Sequence, residues 1–61
     1  MQPSSDRILV KRYAGSRLYD TKALRDVTVA DLRRWQLLRI PFVVRDDESG
    51  DDITRVVLAH A

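Results

Sequence analysis

Two short runs of alternating side chains, Ile8–Tyr13 (ILVKRY) and Arg17–Asp20 (RLYD), are separated only by Ala14-Gly15-Ser16. β-Branched and aromatic residues at period two read as strands. A three-residue link between them leaves room for a tight turn and nothing larger, and Gly15 can take positive φ there at no steric cost. The chain must therefore be built around a hairpin. Within its first strand the pleat puts Ile8, Val10 and Arg12 on one face and Leu9, Lys11 and Tyr13 on the other.

The remaining segments follow from local signals. Thr21 to Leu24 is a further turn and Arg25 to Val27 a third strand. Thr28 opens a helix: its hydroxyl can accept from the amide of Asp31, whose charge suits the positive end of the helix dipole. The helix runs to about Leu38 and stops before Pro41, which pushes Ile40 into an extended shape. Val29, Leu32 and Trp35 make its apolar side, and Arg33 and Arg34 point away from Leu32. Leu37, Leu38 and Ile40 fall outside that side, so the segment carries more apolar surface than one face of a lone helix can hide. A partner subunit or a neighbouring segment is expected to cover the surplus.

Phe42 to Arg45 (FVVR) reads as a fourth strand and Asp46 to Asp52 (DDESGDD) as an acidic turn. That turn lacks the ladder of oxygen ligands closing on a bidentate Glu that a calcium loop requires. A second helix starts near Thr54 and carries Val56, Val57 and Leu58. At about two turns it is too short to be stable alone, and it reads as cut where it would have continued. A weak repeat at a shift of 26 residues relates Leu18-Tyr19-Asp20 to Val44-Arg45-Asp46, Asp26-Val27-Thr28 to Asp52-Ile53-Thr54, and Leu32 to Leu58. Both copies read strand, turn, short extended piece, threonine cap, helix. The expected fold is α+β: a small sheet of short strands with two helices packed on one face, in the order β-β-β-α-β-α.

With 61 residues and no cysteine, the chain has room for one domain and neither a disulfide nor a thiolate metal site. Residues 1–6 read as a flexible lead-in and 7–61 as the domain. No apolar run approaches the ~20 residues that cross a bilayer. The N-terminus lacks the basic and apolar regions of a signal peptide, so a cytoplasmic location and no membrane partner are expected. His60, at the end of the chain, has no nucleophile to serve, and the two glycines form neither a phosphate loop nor a dinucleotide fingerprint. No enzyme, cofactor or metal site is expected.

The net charge of +2 hides an asymmetry. Between Arg7 and Arg39 nine cationic side chains face three acids, whereas from Ile40 onward two face five. A domain polarised in this way can steer a polyanion onto one end. Basic and aromatic side chains interleave in the hairpin, a composition that suits a phosphate backbone. A helix–turn–helix is excluded because a strand separates the two helices, but a two-stranded ribbon also fits the major groove. Lys11, Arg12 and Arg17 are the candidates for phosphates or guanine edges, converging on one face. Tyr13 and Tyr19 are candidates for stacking or phenol-to-phosphate bonds. Arg25 ranks next, and Arg33 and Arg34 extend the positive surface. The competing reading places the tyrosines in the core, pairs Arg17 with Asp20 or Asp26, and makes Trp35, Leu37, Leu38 and Ile40 the working surface of a protein-interaction or oligomerisation module.

The runs KRYAGSRLYDT, RDVTVADL and FVVRDDESGDDITRVVL carry a further signal. Together they resemble the N-terminal domain of the bacterial polyhydroxyalkanoate (polyhydroxybutyrate) accumulation regulators, from Ile8 to about Ala59 without a gap. The RLYDT element at Arg17 to Thr21 and the DITRxVL element at Asp52 to Leu58 are its most specific parts. The family's first element runs close to KYPNRRLYDT. This chain keeps Tyr13 and Arg17 but has Ala14, Gly15 and Ser16 where Pro, Asn and Arg are usual. The resemblance implies the DNA-binding domain of a transcriptional repressor of polymer-synthesis and granule-associated protein genes. It also implies a homo-oligomer whose response to the polymer granule lies C-terminal to this domain.

Overall fold

The computed structural model describes residues 7–59. The elements come in the expected order: β1 (Ile8–Tyr13), β2 (Arg17–Asp20), β3 (Arg25–Val27), α1 (Val29–Leu37), β4 (Phe42–Asp46) and α2 (Thr54–Ala59). β4 runs one residue beyond the predicted Arg45 because Asp46 still pairs with Arg12 of β1. The expected lead-in and His60 lie outside the described residues.

The sheet order is β3-β2-β1-β4. β1 and β2 are antiparallel, as are β2 and β3, while β4 returns beside β1 in parallel after the α1 crossover. The hairpin turn carries Ala14 at φ 50° as well as Gly15 at φ 82°. Thr28 caps α1 as predicted: its hydroxyl accepts from the Asp31 amide at 3.3 Å, and the Asp31 carboxylate accepts from the Thr28 amide at 2.9 Å. This reciprocal box satisfies two amides that the first helical turn cannot. The helix ends at Leu37 with Leu38 as its C-cap, and Arg39, at φ 61°, turns the chain toward Pro41.

One core sits on one face of the sheet. Val10, Leu18, Val27 and Val44, one from each strand, lie under Leu32 of α1 and Val57 of α2. Each contributes roughly 1.5–3 kcal/mol by leaving water. Val29, Trp35, Phe42, Ile53 and Leu58 close its rim, with the Trp35 and Phe42 rings edge to face at 5.6 Å. Leu37 and Leu38, outside the predicted apolar side, are 84% and 62% exposed. Among the described residues no helix is long and apolar enough to cross a membrane.

The turns after β2 and β4 are built the same way. Asp20, 3% exposed, accepts through Oδ1 from the amides of Lys22 (2.8 Å) and Ala23 (3.0 Å), and its carbonyl accepts from Leu24 at 2.8 Å. Asp46 accepts through Oδ2 from Glu48 (3.2 Å) and Ser49 (2.9 Å), and its carbonyl from Gly50 at 2.8 Å. Leu24 and Gly50 both take left-handed φ, at 59° and 78°. The 26-residue repeat read in the sequence is thus a repeat of backbone geometry.

Candidate nucleic-acid interface

Both helices cover the same face of the sheet, so among the described residues the other face carries only what its strands display. Residues directly opposite one another in neighbouring strands share a face. Lys11 lies opposite Tyr19 on β2 and Arg45 on β4, Tyr13 lies opposite Arg17, and Tyr19 lies opposite Asp26 on β3. A row therefore crosses the uncovered face as Arg45–Lys11–Tyr19–Asp26, with Tyr13 and Arg17 in the next row. Leu9 and Val43 form the row on the other side.

These side chains are partly ordered by one another. The Tyr13 hydroxyl donates to Oδ1 of Asp26 at 2.9 Å, and Nη1 of Arg17 donates to Oδ2 of the same carboxylate at 3.3 Å. The Tyr13 and Tyr19 rings meet edge to face at 6.4 Å and 79°. Nζ of Lys11 sits 3.8 Å from Oδ1 of Asp47, and Nη1 of Arg45 donates to the Gly50 carbonyl at 2.8 Å. The Lys11 and Arg17 side chains remain 48% and 63% exposed. Ion pairs this open hold their partners by only ~0–1 kcal/mol and can exchange them for another anion.

Arg12 does not join this face, contrary to the expected convergence of Lys11, Arg12 and Arg17. It lies opposite Leu18 and Asp46, on the helix side of the sheet. Its Nε and Nη2 donate to Oδ1 of Asp46 at 3.3 and 3.2 Å. The reason is the pleat: adjacent residues of one strand point to opposite faces, so Lys11 and Arg12 cannot both meet a ligand on one side. Arg25, opposite Asp20, is likewise on the helix-side register, at the exposed edge. Of the six residues singled out in the sequence, the uncovered face gathers Lys11, Tyr13, Arg17 and Tyr19 and leaves out Arg12 and Arg25. The tyrosines are half-buried but outside the core, and Arg17 takes Asp26, not Asp20, as its partner. Arg33 ties α1 to α2 by donating to the Leu58 carbonyl at 3.0 Å.

Arg45 was not singled out from the sequence, although the repeat held the signal: a shift of 26 puts it where Tyr19 stands, and Asp26 was named only as one of two acids that could pair with Arg17. The acids of the second turn serve the backbone. Hydrogen bonds from Ser49, then Arg12, hold the Asp46 carboxyl below the ordinary aspartate range despite some desolvation. The Thr54 hydroxyl and amide do the same for Asp52, with Arg45 and Arg7 adding to the effect. Among the described residues no three His, Cys, Asp or Glu side chains are grouped to hold a metal ion. What the uncovered face offers chemically is three exposed guanidinium or ammonium groups and two phenols spread over a shallow, ordered surface.

Comparison with known proteins adds to this geometry. Residues 9–61 match the family described as the PHB/PHA accumulation regulator DNA-binding domain. An uncharacterized protein of Allochromatium vinosum is 44% identical over 55 residues, covering 90% of this chain and 35% of that protein. A protein of Thiocystis violacea, described as an uncharacterized protein in the phbA 5′ region, is also 44% identical over 55 residues, covering 90% of this chain and 39% of its own length. The chain thus spans little more than a third of the relatives it matches. No solved structure matches it.

Proposed function

The chain belongs to the family of PHB/PHA accumulation regulator DNA-binding domains, and from that premise we propose that the uncovered face of its sheet is the surface laid against DNA. Lys11 and Arg17 meet phosphates or base edges there, and Tyr13 and Tyr19 position the ribbon. Arg12 supports the sheet from behind. Arg25 sits at the β3 edge, where it can reach only a flanking phosphate. The observation that carries this reading is the row Arg45–Lys11–Tyr19, cationic and aromatic, on the face that neither α1 nor α2 covers.

In the longer regulator the domain serves as a repressor of polymer-synthesis and granule-associated genes, and release by polymer belongs to regions beyond it. The relative's description as lying in the phbA 5′ region agrees with a regulator encoded beside such genes. Self-association is a second proposal, favoured by the exposed Leu37 and Leu38 next to half-buried Trp35.

The test is a binding titration against a duplex enriched from a random pool by the chain, at several salt concentrations, using the chain and its Lys11→Ala and Arg17→Ala variants. Each substitution should weaken binding and flatten the plot of log affinity against log salt by about one unit. Unchanged slopes in both variants overturn the DNA surface. Sedimentation of the same samples reads self-association independently: a monomer throughout the concentration range removes the second proposal.

A further inference from the structure

An acid on a surface meant for a polyanion is out of place, since it repels phosphate. Asp26 is such an acid. It lies opposite Tyr19 on the uncovered face, its side chain is 51% exposed, and each of its oxygens is taken: Oδ1 by the Tyr13 hydroxyl at 2.9 Å and Oδ2 by Arg17 at 3.3 Å. Tyr13 in turn stands edge to face with Tyr19. One carboxylate thus fixes the two side chains of the hairpin's end and, through Tyr13, braces the third.

We infer that Asp26 is a specificity-determining residue of the DNA surface: it occupies the Arg17 guanidinium and the Tyr13 hydroxyl so that only a correctly placed DNA group, and not any phosphate, can recruit them. This inference rests on the reading of the uncovered face as the DNA surface. A free Arg17 neutralises whatever phosphate comes nearest, which raises affinity for every sequence alike. Held by Asp26, Arg17 keeps a fixed direction and its charge is half-compensated, so non-specific attraction falls. A base edge or phosphate that matches the fixed geometry still competes, because the exposed ion pair is weak. Arg17 donates to Asp26 through Nη1, and its other N–H groups have no partner among the described residues and can meet a ligand. Asp26 is therefore a positioning residue, which acts through Arg17 and Tyr13 and has no need to touch DNA itself.

The experiment compares Asp26→Asn, Asp26→Ala and Asp26→Glu with the unaltered chain. Two probes are used: a random-sequence duplex, and a duplex enriched from a random pool by the unaltered chain. Circular dichroism confirms the fold, and the near-isosteric Asn carries the test if Ala unfolds. Asp26→Asn should raise affinity for the random duplex several-fold and steepen its salt slope by about 0.9, one more phosphate neutralised. Preference for the enriched over the random duplex should fall about ten-fold. Asp26→Glu should retain most of that preference. Equal weakening on both duplexes with an unchanged slope, or no change on either, overturns the role of Asp26. If Lys11→Ala and Arg17→Ala also leave the slope unaltered, the DNA surface itself has failed; if they flatten it, only the inference about Asp26 has.

Discussion

The two halves of the domain repeat one device with opposite chemistry. In the first, β2 leads through an aspartate-held turn and β3 to α1; in the second, β4 leads through the same turn to α2. Lys11 stands between them, opposite Tyr19 on one side and Arg45 on the other, residues 26 apart in the chain. β2 runs antiparallel to β1 and β4 parallel to it, so the halves are related by an approximate two-fold turn about Lys11. Asp20 then falls beside Val10 and Asp46 beside Arg12. The first aspartate is buried and, among the described residues, bonded through its carboxylate only to backbone amides; the second is nearer water and has a guanidinium as well. The difference teaches that amides are enough to fold the turn, and that Arg12 is an addition required by neither the turn nor the proposed DNA surface.

The largest effect should come from removing the sealed aspartate. Asp20→Ala leaves the Lys22 and Ala23 amides without their acceptor at the edge of the core, and should cost about 3 kcal/mol. Asp46→Ala, whose amides can turn to water, should cost clearly less. The midpoints and slopes of urea unfolding measure both. A larger loss at Asp46 breaks the comparison, because it makes the solvated copy the structural one.

A smaller effect separates the copies at their left-handed positions. Gly50, at φ 78°, has open space around its missing Cβ, so Gly50→Ala tests backbone strain alone and should cost about 1 kcal/mol. Leu24 holds the equivalent position at φ 59° while 71% exposed, so its side chain offers little in return for the strain. Leu24→Gly should therefore be neutral or stabilise by up to about 1 kcal/mol, the relief of strain being set against glycine's greater freedom when unfolded. Thermal midpoints moving in the same direction for both substitutions would contradict the equivalence of the two turns.

Much of this was legible in the sequence, for reasons the residues make plain. Alternation in ILVKRY and RLYD, the Thr28–Asp31 box and Pro41 are local signals, and the elements they predict stand within a residue of their places. The repeat was legible because the aspartates and the apolar positions have backbone or core tasks that recur at the same spacing. The expected second threonine cap does not recur, since Thr54 opens α2 from within and its hydroxyl instead accepts from the Val44 amide and donates to Asp52. The sequence alone did not place β4 beside β1, since a parallel neighbour is chosen by the α1 crossover. Nor did it choose between Asp20 and Asp26 as the partner of Arg17, or bring Tyr13 to Asp26, which depends on cross-strand register. Arg12 was misjudged for a different reason. Its pleat position was correctly read on the side of Ile8 and Val10, yet its charge was grouped with Lys11 and Arg17, and geometry outranks charge in a strand.

The smallest effect is the sharpest test of that last point. Arg12→Gln removes the guanidinium that distinguishes the Asp46 turn from the Asp20 turn and leaves the Ser49 bond, the main cause of the lowered Asp46 pKa, in place. The folded-state pKa of Asp46 should rise part of the way toward the ordinary 3.8. A carboxylate with a depressed folded pKa stabilises fully above its unfolded value, and that contribution is lost as pH falls through the folded one. Arg12→Gln should thus destabilise slightly at neutral pH, and this ion-pair deficit should shrink as pH falls through the lowered folded-state pKa, below which the carboxylate is protonated with or without its partner. Urea unfolding of both proteins across pH 2–7 (a conventional range, roughly spanning the aspartate titration) measures the gap. On DNA, the same substitution should leave the salt slope where Lys11→Ala lowers it, because Arg12 lies behind the sheet. A slope that falls equally for Arg12 and Lys11 would mean that DNA reaches both faces, and the contrast between a working front and a supporting back would have to be given up.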